Sequence, residues 1–494
     1  MVEKYVMGID VGTQAIKTAI FDLNGDLFHL HKSKYSNSLK YDEFGGVTQN
    51  PFDWYEALIE GIGECVSKVP SKKIVAMGLD TTSSTLLMTD NLGKPIGDAL
   101  LWYDRRAFEQ SEKILKISNN YPEYKLSKAM IPEAGLPKVL WLKENDKRYR
   151  DAGKILECVD WLTYKLTGNF TASKSALIRF YNYHWDLKGW PKNYLKSINL
   201  EDLVDKIPYT KIDTGKKIGK LLPTLSKKFG LSLNLDVITA GIDSYSSLVG
   251  MGIYKGGQIG MTMGSSIPIN IASTNEVNIE SYFGPFRDLT VPGLYFNGTS
   301  IPSAGVIINW LIENSPYHNH KNPYLELDKK ALQVSIGSDG LFCIPYWSGV
   351  KSPVRKSLAK GAFTGFNLSH KTDHMFRSIY EGLSYSIKHS FEKVIDSGYE
   401  INQLFVCGGL TKSKLMKKIL PDVLGVDLNV AYEESSVLGS AILAAYGNGL
   451  FNSIPEAINK MAKPSYIISP NKNNSKIYTQ LFEEYKRIAN TIIL

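Results

Sequence analysis

Apolar positions at the start of the chain fall in blocks rather than in a helical stripe. Residues 5–22 hold two apolar runs of strand length, parted by Gly12-Thr13. Such runs around a polar, glycine-bearing corner predict a hairpin. Asn24-Gly25 marks a second tight turn, so the opening is a meander of at least three strands. The period then changes. Asn50 before Pro51 reads as a helix cap and first helical residue. Trp54, Leu58, Ile62 and Cys65-Val66 recur at helical spacing as its inward stripe.

Residues 74–79 form a short apolar strand that runs into Asp80-Thr81-Thr82-Ser83-Ser84. Two further strands, 86–89 and 99–102, bracket an Asp90-Asn91-Leu92-Gly93 turn. Trp102-Tyr103-Asp104-Arg105-Arg106 then opens onto a helix through Ile114. From about 118 to 230 the pattern is mixed, helix-rich and aromatic. It resets near Val237, where a strand ends in Asp243 and a helix follows. Residues 258–270 are again apolar strand, small-residue turn and apolar strand. The repeated plan predicts an internal duplication, one copy per half. Two unrelated hairpins would look the same.

In the second half, Phe376, Ile379, Leu383, Ile387, Phe391 and Val394 predict a helix over 375–394, stopped at Gly398. A strand over 403–407 runs into Gly408-Gly409, a helix continues through Leu424, and 426–430 is another strand. Residues 438–446 read as a small-residue helix suited to packing on a sheet. Strands alternating with helices predict α/β domains, with halves 1–245 and 246–494.

Composition narrows the function classes. The chain has 494 residues, enough for sizeable cores, with 43% hydrophobic and 21% charged content. The net charge of +8 comes from scattered lysines; Lys412, Lys414, Lys417 and Lys418 are the densest group. This surface suits an anionic ligand, and no motif supports nucleic-acid binding. The four cysteines are far apart, which points away from zinc and disulfides and toward a reducing cytoplasm. No basic-then-apolar leader and no long apolar window stands in the sequence, so neither secretion nor a membrane partner is expected.

Three small-residue turns follow strands: Gly12-Thr13, Gly264-Ser265-Ser266 and Gly408-Gly409. Two carboxylates, Asp10 and Asp243, stand at strand ends. Ligands of α/β folds collect at strand C-termini. Backbone N–H groups and hydroxyls of such turns hold phosphates, and a carboxylate beside them suits a hydrated Mg²⁺. No G-x-x-x-x-G-K-[ST] loop is present. Plain alternatives stand beside these readings. The first turn suits a hairpin tip, Asp10 a turn contact, and Asp243 a helix cap. Arg179 suits a surface ion pair. Trp102 and Arg105 suit domain packing as well as sugar binding.

The residues Gly8-Ile9-Asp10-Val11-Gly12-Thr13 with Lys17, Gly78-Leu79-Asp80 through Ser84, Trp102 through Ala107, and Gly241-Ile242-Asp243 resemble the FGGY family of carbohydrate kinases. Residues 345–353, 361–365 and Glu381-Gly382 resemble its second-half signature. Cys407 through Ser413, with Gly439-Ser440-Ala441, resembles its adenosine segment. The match runs in order over nearly the whole chain. It implies two ribonuclease-H-like domains of the actin/hexokinase/Hsp70 superfamily with a nucleotide cleft between them, ATP and Mg²⁺ as cofactors, and phosphorylation of a small sugar. By this resemblance Asp243 is the catalytic base and Asp10 the metal-side carboxylate. Gly12, Thr13, Gln14, Lys17, Gly264, Ser265, Gly305, Gly408, Gly409 and Ser413 serve the nucleotide and its phosphates. Thr82, Ser83, Trp102, Asp104 and Arg179, with Asp243, serve the substrate.

The chain also departs from the family. Gly349-Val350-Lys351-Ser352-Pro353 stands where Gly-Glu-Arg-(Ser/Thr)-Pro is common, and Arg355-Lys356 stands where an acidic residue is usual. The 80–84 stretch lacks the Gln-Met-His pattern of typical xylulokinases and looks more like that of ribulokinases. A ketopentose such as xylulose or ribulose is the expected substrate. The rivals are a glycerol-type polyol kinase on the same fold and, from another class, an actin- or Hsp70-like ATP-gated binding protein. A homodimer stays open.

Overall fold

A computed structural model describes residues 3–37, 39–121, 130–183 and 189–493. The mixed stretch expected over 118–230 lies partly outside them. The chain divides into two compact units. The first comprises Met1–Tyr254, Phe286–Leu294 and Ser435–Lys463, and the second comprises Lys255–Pro285, Tyr295–Glu434 and Pro464–Leu494. The expected halves 1–245 and 246–494 are continuous, whereas these units interleave, with Ser435–Lys463 in the first.

The main sheet of the first unit has the order Lys217–Lys220, Asp236–Ile242, Ile74–Thr81, Tyr5–Val11, Ala15–Asp22, Leu27–Lys34. The three members Asp236–Ile242, Ile74–Thr81 and Tyr5–Val11 run parallel. Ala15–Asp22 and Leu27–Lys34 complete the predicted antiparallel meander. Alternate residues of a strand face opposite sides. On one side Tyr5, Met7, Ile9 and Val11 share a core with Trp54, Leu58, Ile62 and Trp161. Helix Pro51–Val66 supplies the predicted stripe there, and the Asn50 side chain caps it by accepting from Phe52 N. On the other side lies helix Ser435–Gly447. A Cβ on Gly8 would sit 2.0 Å from the Val437 carbonyl oxygen, and one on Gly78 would sit 2.1 Å from that of Ser440. Gly8 therefore makes room for a helix.

The second unit repeats the plan. Its seven-stranded sheet runs Phe283–Arg287, Tyr295–Ile301, Ile267–Ser273, Gln258–Thr262, Gln403–Cys407, Leu428–Val430, Tyr466–Ile468. Gln258–Thr262 pairs antiparallel with Ile267–Ser273 and parallel with Gln403–Cys407. Each sheet thus contains three antiparallel neighbours, two further parallel strands and an antiparallel edge, and the second adds Phe283–Arg287 outside its antiparallel three. Helix Thr372–Asp396 buries Phe376, Ile379, Leu383, Ile387, Phe391 and Val394 in the core of this unit. Among the described residues no helix is long and apolar enough to cross a membrane.

Candidate active site

Three neighbouring parallel strands of the first unit bring carboxylates to their C-terminal ends. Asp10 and Asp80 are register partners, and Gly241 pairs with Asp80 one strand further on. The pairing slips between Thr239 and Gly241, where Gly241 adopts φ +73°. A bulge of this kind re-aims the residues that follow it. Asp243 then opens helix Asp243–Met251, where Ser244 N donates to its Oδ1 at 2.6 Å. Burial, with Asp10 nearby, pushes the Asp243 carboxyl up to about 7, and the Ser244 N–H opposes the rise. Burial and the same Asp10 hold fully buried Asp80 well above the usual carboxylate range, and Ser440 opposes it. Crowded carboxylates of one sign cannot all ionise cheaply.

Two serines on one face of helix Ser435–Gly447 engage this cluster. Ser436 Oγ donates to Asp10 Oδ2 and Ser440 Oγ to Asp80 Oδ2, each at 2.6 Å. Lys17 Nζ stands 3.9 Å from Asp10 Oδ2. Among the described residues no group of three or more His, Cys, Asp and Glu side chains is placed to hold a metal. One carboxylate, Asp10, beside the Gly12-Thr13 turn nevertheless fits Mg²⁺, which commonly keeps several waters and is shared with phosphates.

The Gly12-Thr13-Gln14 turn is closed by Gly12 N donating to Ala15 O at 3.1 Å. It is also pinned from outside. Tyr35 OH donates to Gly12 O at 2.6 Å, and Trp102 Nε1 donates to Thr13 Oγ1 at 2.9 Å. Gln14 is exposed. Strand Ile74–Thr81 ends at the first hydroxyl of the 81–84 run, so turn geometry sorts the other three. Thr82 and Ser83 are half-buried, while Thr81 and Ser84 are buried. Arg179 is half-buried, with its guanidinium over the Phe180 and Phe286 rings at 4.8 and 4.7 Å and Tyr245 as polar neighbour.

Asp104 does not fit its expected substrate role. It is fully buried, its Oδ2 accepts from Val47 N at 2.7 Å, and both oxygens accept from Arg106 Nε. It fixes a loop instead. A cavity of about 290 Å³, lined by Lys40, Met88, Asp98, Arg106, Trp141 and Arg148 among others, contains none of the expected site residues. Its charges are already paired, as in Lys40–Asp98 at 2.6 Å.

The second unit holds two of the three small-residue turns together. Met263 N donates to Cys407 O at 2.7 Å, and Leu410 N donates to Met263 O at 3.0 Å. Gly305 N donates to Gly264 O at 3.0 Å, which clamps the Gly264-Ser265 turn at the start of helix Gly305–Glu313. Ser265 is exposed. Gly408 has φ +98°, and a Cβ there would meet Met263 O at 2.8 Å. A Cβ on Gly409 would meet nothing within 4 Å, so its surroundings are open. Ser413 caps helix Lys414–Leu424 through Met416 N at 3.0 Å and also hydrogen-bonds Asp328. Its hydroxyl is committed to that cap, which corrects its reading as a direct nucleotide contact.

Two family models share the chain. The N-terminal domain of the FGGY family of carbohydrate kinases matches residues 5–250 and the C-terminal domain matches 260–447. The chain belongs to the FGGY family of carbohydrate kinases. It is thus a sugar kinase that uses ATP, built of two ribonuclease-H-like domains. This FGGY kinase is 27% identical over 495 residues to the xylulose kinase of Staphylococcus epidermidis, covering 99% of the chain and 97% of the relative. It is 25% identical over 539 residues to the ribulokinase of Geobacillus thermodenitrificans, covering 99% and 94%. The crystal structure of gluconate kinase from Lactobacillus acidophilus superposes with a TM-score of 0.87 at 22% identity, covering 99% of this chain and 98% of that one.

Sequence reasoning on the FGGY kinase missed Tyr35, Tyr245, Ser436 and Ser440, and gave Asp80 no role. Asp80 alone carried a usable signal, a carboxylate ending an apolar strand beside Asp10.

Proposed function

We propose that this FGGY kinase transfers the γ-phosphoryl group of ATP to a hydroxyl of a ketopentose, xylulose or ribulose, with Asp243 as general base. The observation that carries the reading is Asp243 itself, a strand-end carboxylate whose proton affinity is pushed to about 7. A base poised near the working pH takes a proton most effectively. Asp243 accepts the hydroxyl proton as the new O–P bond forms, the bond to the β-phosphate oxygen breaks, and ADP leaves. Asp10 is the residue to hold a hydrated Mg²⁺, whose part is to neutralise phosphate charge. Gly12 and Thr13 in the first unit, and Gly264, Ser265, Gly408 and Gly409 in the second, are the phosphate and nucleoside contacts. Gly305 acts behind them as a clamp. Thr82, Ser83, Trp102 and Arg179 form the sugar wall.

The names of the xylulose kinase and ribulokinase relatives support a ketopentose over glycerol. The test is coupled ADP release with xylulose, ribulose, glycerol and gluconate. A ketopentose should outrank glycerol by about tenfold or more in kcat/KM, a difference of roughly 1.4 kcal/mol. Glycerol or gluconate as best substrate removes the ketopentose. No stimulation by any of them removes the proposal.

A further inference from the structure

We infer that Lys138 is a positioning residue for the sugar wall, its ammonium bracing from behind the two segments that carry Thr82-Ser83 and Trp102. The inference rests on the proposal that those residues meet the sugar.

Lys138 lies on helix Gly135–Asn145 and is fully buried. Lysines are almost never fully buried unless paired. Its Nζ donates to Ser84 O at 2.7 Å and to Leu101 O at 2.6 Å. These carbonyls belong to different segments of the chain. One lies in the turn that closes the Thr82-Ser83 run, and the other belongs to the peptide leading into Trp102. A single cation therefore fixes the spacing between both parts of the wall, and an ammonium can hold two acceptors at once.

The surroundings are built for this charge. Asp104, Glu157 and Glu133 favour the ammonium, while burial and Arg106 oppose it and bring it to about 8. Each braced segment is tied a second time. Ser84 takes φ +54°, and its Oγ donates to Glu133 O at 2.8 Å. Beyond Leu101, the Trp102 indole reaches Thr13 at 2.9 Å, so a turned Leu101 peptide would carry the indole off the phosphate turn. The sequence signal is a lone cation in the apolar run Leu136-Pro137-Lys138-Val139-Leu140.

The test is Lys138→Met, which keeps length and packing but removes the donors. Displacements of about 1 Å can cost up to roughly a hundredfold, so a rise of about tenfold or more in sugar KM is expected. Sugar-free ATP affinity should stay within about twofold and kcat within about threefold, because neither base nor phosphate turn touches Lys138. Amide hydrogen exchange should quicken over 82–86 and 100–104 and stay unchanged over 15–22. If Lys138→Met does not fold, Lys138→Gln, which keeps one amide donor group, takes its place. A folded variant with unchanged sugar KM and unchanged exchange overturns the inference. So does a loss of kcat at unchanged sugar KM, or failure of both variants to fold, which would leave a core lysine only. If no sugar stimulates ADP release by the wild type, the functional proposal falls on its own, and exchange over 82–86 and 100–104 decides the brace.

Discussion

At the same register point of the two sheets, the first unit pairs Asp10 with Asp80 and the second pairs Thr262 with Cys407. Both pairs sit where a hairpin strand meets its parallel neighbour, just before a small-residue turn. In the first unit the carboxylates crowd, and Asp80 and Asp243 are pushed up. In the second the pair is neutral, with Cys407 Sγ 3.8 Å from Thr262 Oγ1. The strand plan supplies position and leaves the chemistry to the side chains. Carboxylates suit the place where a proton moves and a cation is held. Neutral small groups suit a place that grips a polyanion, where added negative charge would repel the ligand.

Removing the charge that distinguishes the first unit should have the largest effect. Asp243→Asn should lower kcat by about 10²–10⁴-fold, the usual scale of a general base, with nucleotide affinity nearly unchanged. Wild-type kcat/KM should climb as pH rises through about 7, where Asp243 loses its proton. The variant should lose that limb. A wild-type kcat in Asp243→Asn would return this residue to helix capping.

The converse change places a carboxylate in the neutral frame. Cys407 is buried, so Cys407→Asp must be neutralised or left unpaired. Holding a carboxyl protonated some three pH units above its ordinary value costs roughly 4 kcal/mol. Denaturant unfolding at pH 7 should show a loss of that order, smaller at pH 4. Equal stability at both pH values would mean that the second frame tolerates charge.

Gly8→Ala should cost about 1–3 kcal/mol or more, because its Cβ meets a backbone oxygen that has no rotamer to escape into. A melting temperature within a degree of wild type would show that helix Ser435–Gly447 shifts freely. Ser440→Ala is the mildest test. It removes one donor from Asp80 and should cost about 1–3 kcal/mol in urea unfolding. The raised proton affinity of Asp80 in the fold sets the sign of the pH dependence. The folded state binds more protons than the unfolded one, so stability from this site is greatest in acid and is lost as pH rises. Ser440→Ala should steepen that loss, since Ser440 favours the charged form.

Much of the fold was legible because its signals are local. The Gly12-Thr13 and Asn24-Gly25 turns, the stripe from Trp54 to Val66 and the strand ending at Asp243 each announce themselves within a few residues. What escaped depends on partners far along the chain. Nothing near Asp10 names Ser436, and nothing near Asp80 names Ser440. Asp104 and Ser413 were read as ligand contacts because a polar residue beside a turn serves a backbone N–H as readily as a substrate. The interleaving of the two units was hidden for a related reason. Residues 438–446 announce a helix that packs on a sheet without saying which sheet.

That returning helix ties the order of synthesis to the order of folding. Strands Tyr5–Val11, Ile74–Thr81 and Asp236–Ile242 leave the ribosome long before Ser435–Gly447, the segment that covers their Gly8 and Gly78 face. At ~5–20 residues per second, the glycine-lined face waits uncovered for roughly ten seconds or more. The first unit is therefore completed only after most of the second, Lys255–Pro285 and Tyr295–Glu434, has been made, and a fragment ending at Tyr254 lacks its last core element. Chaperone capture during this interval, and failure of such a fragment to fold until a 435–463 peptide is added, are the cellular and test-tube faces of one chain crossing.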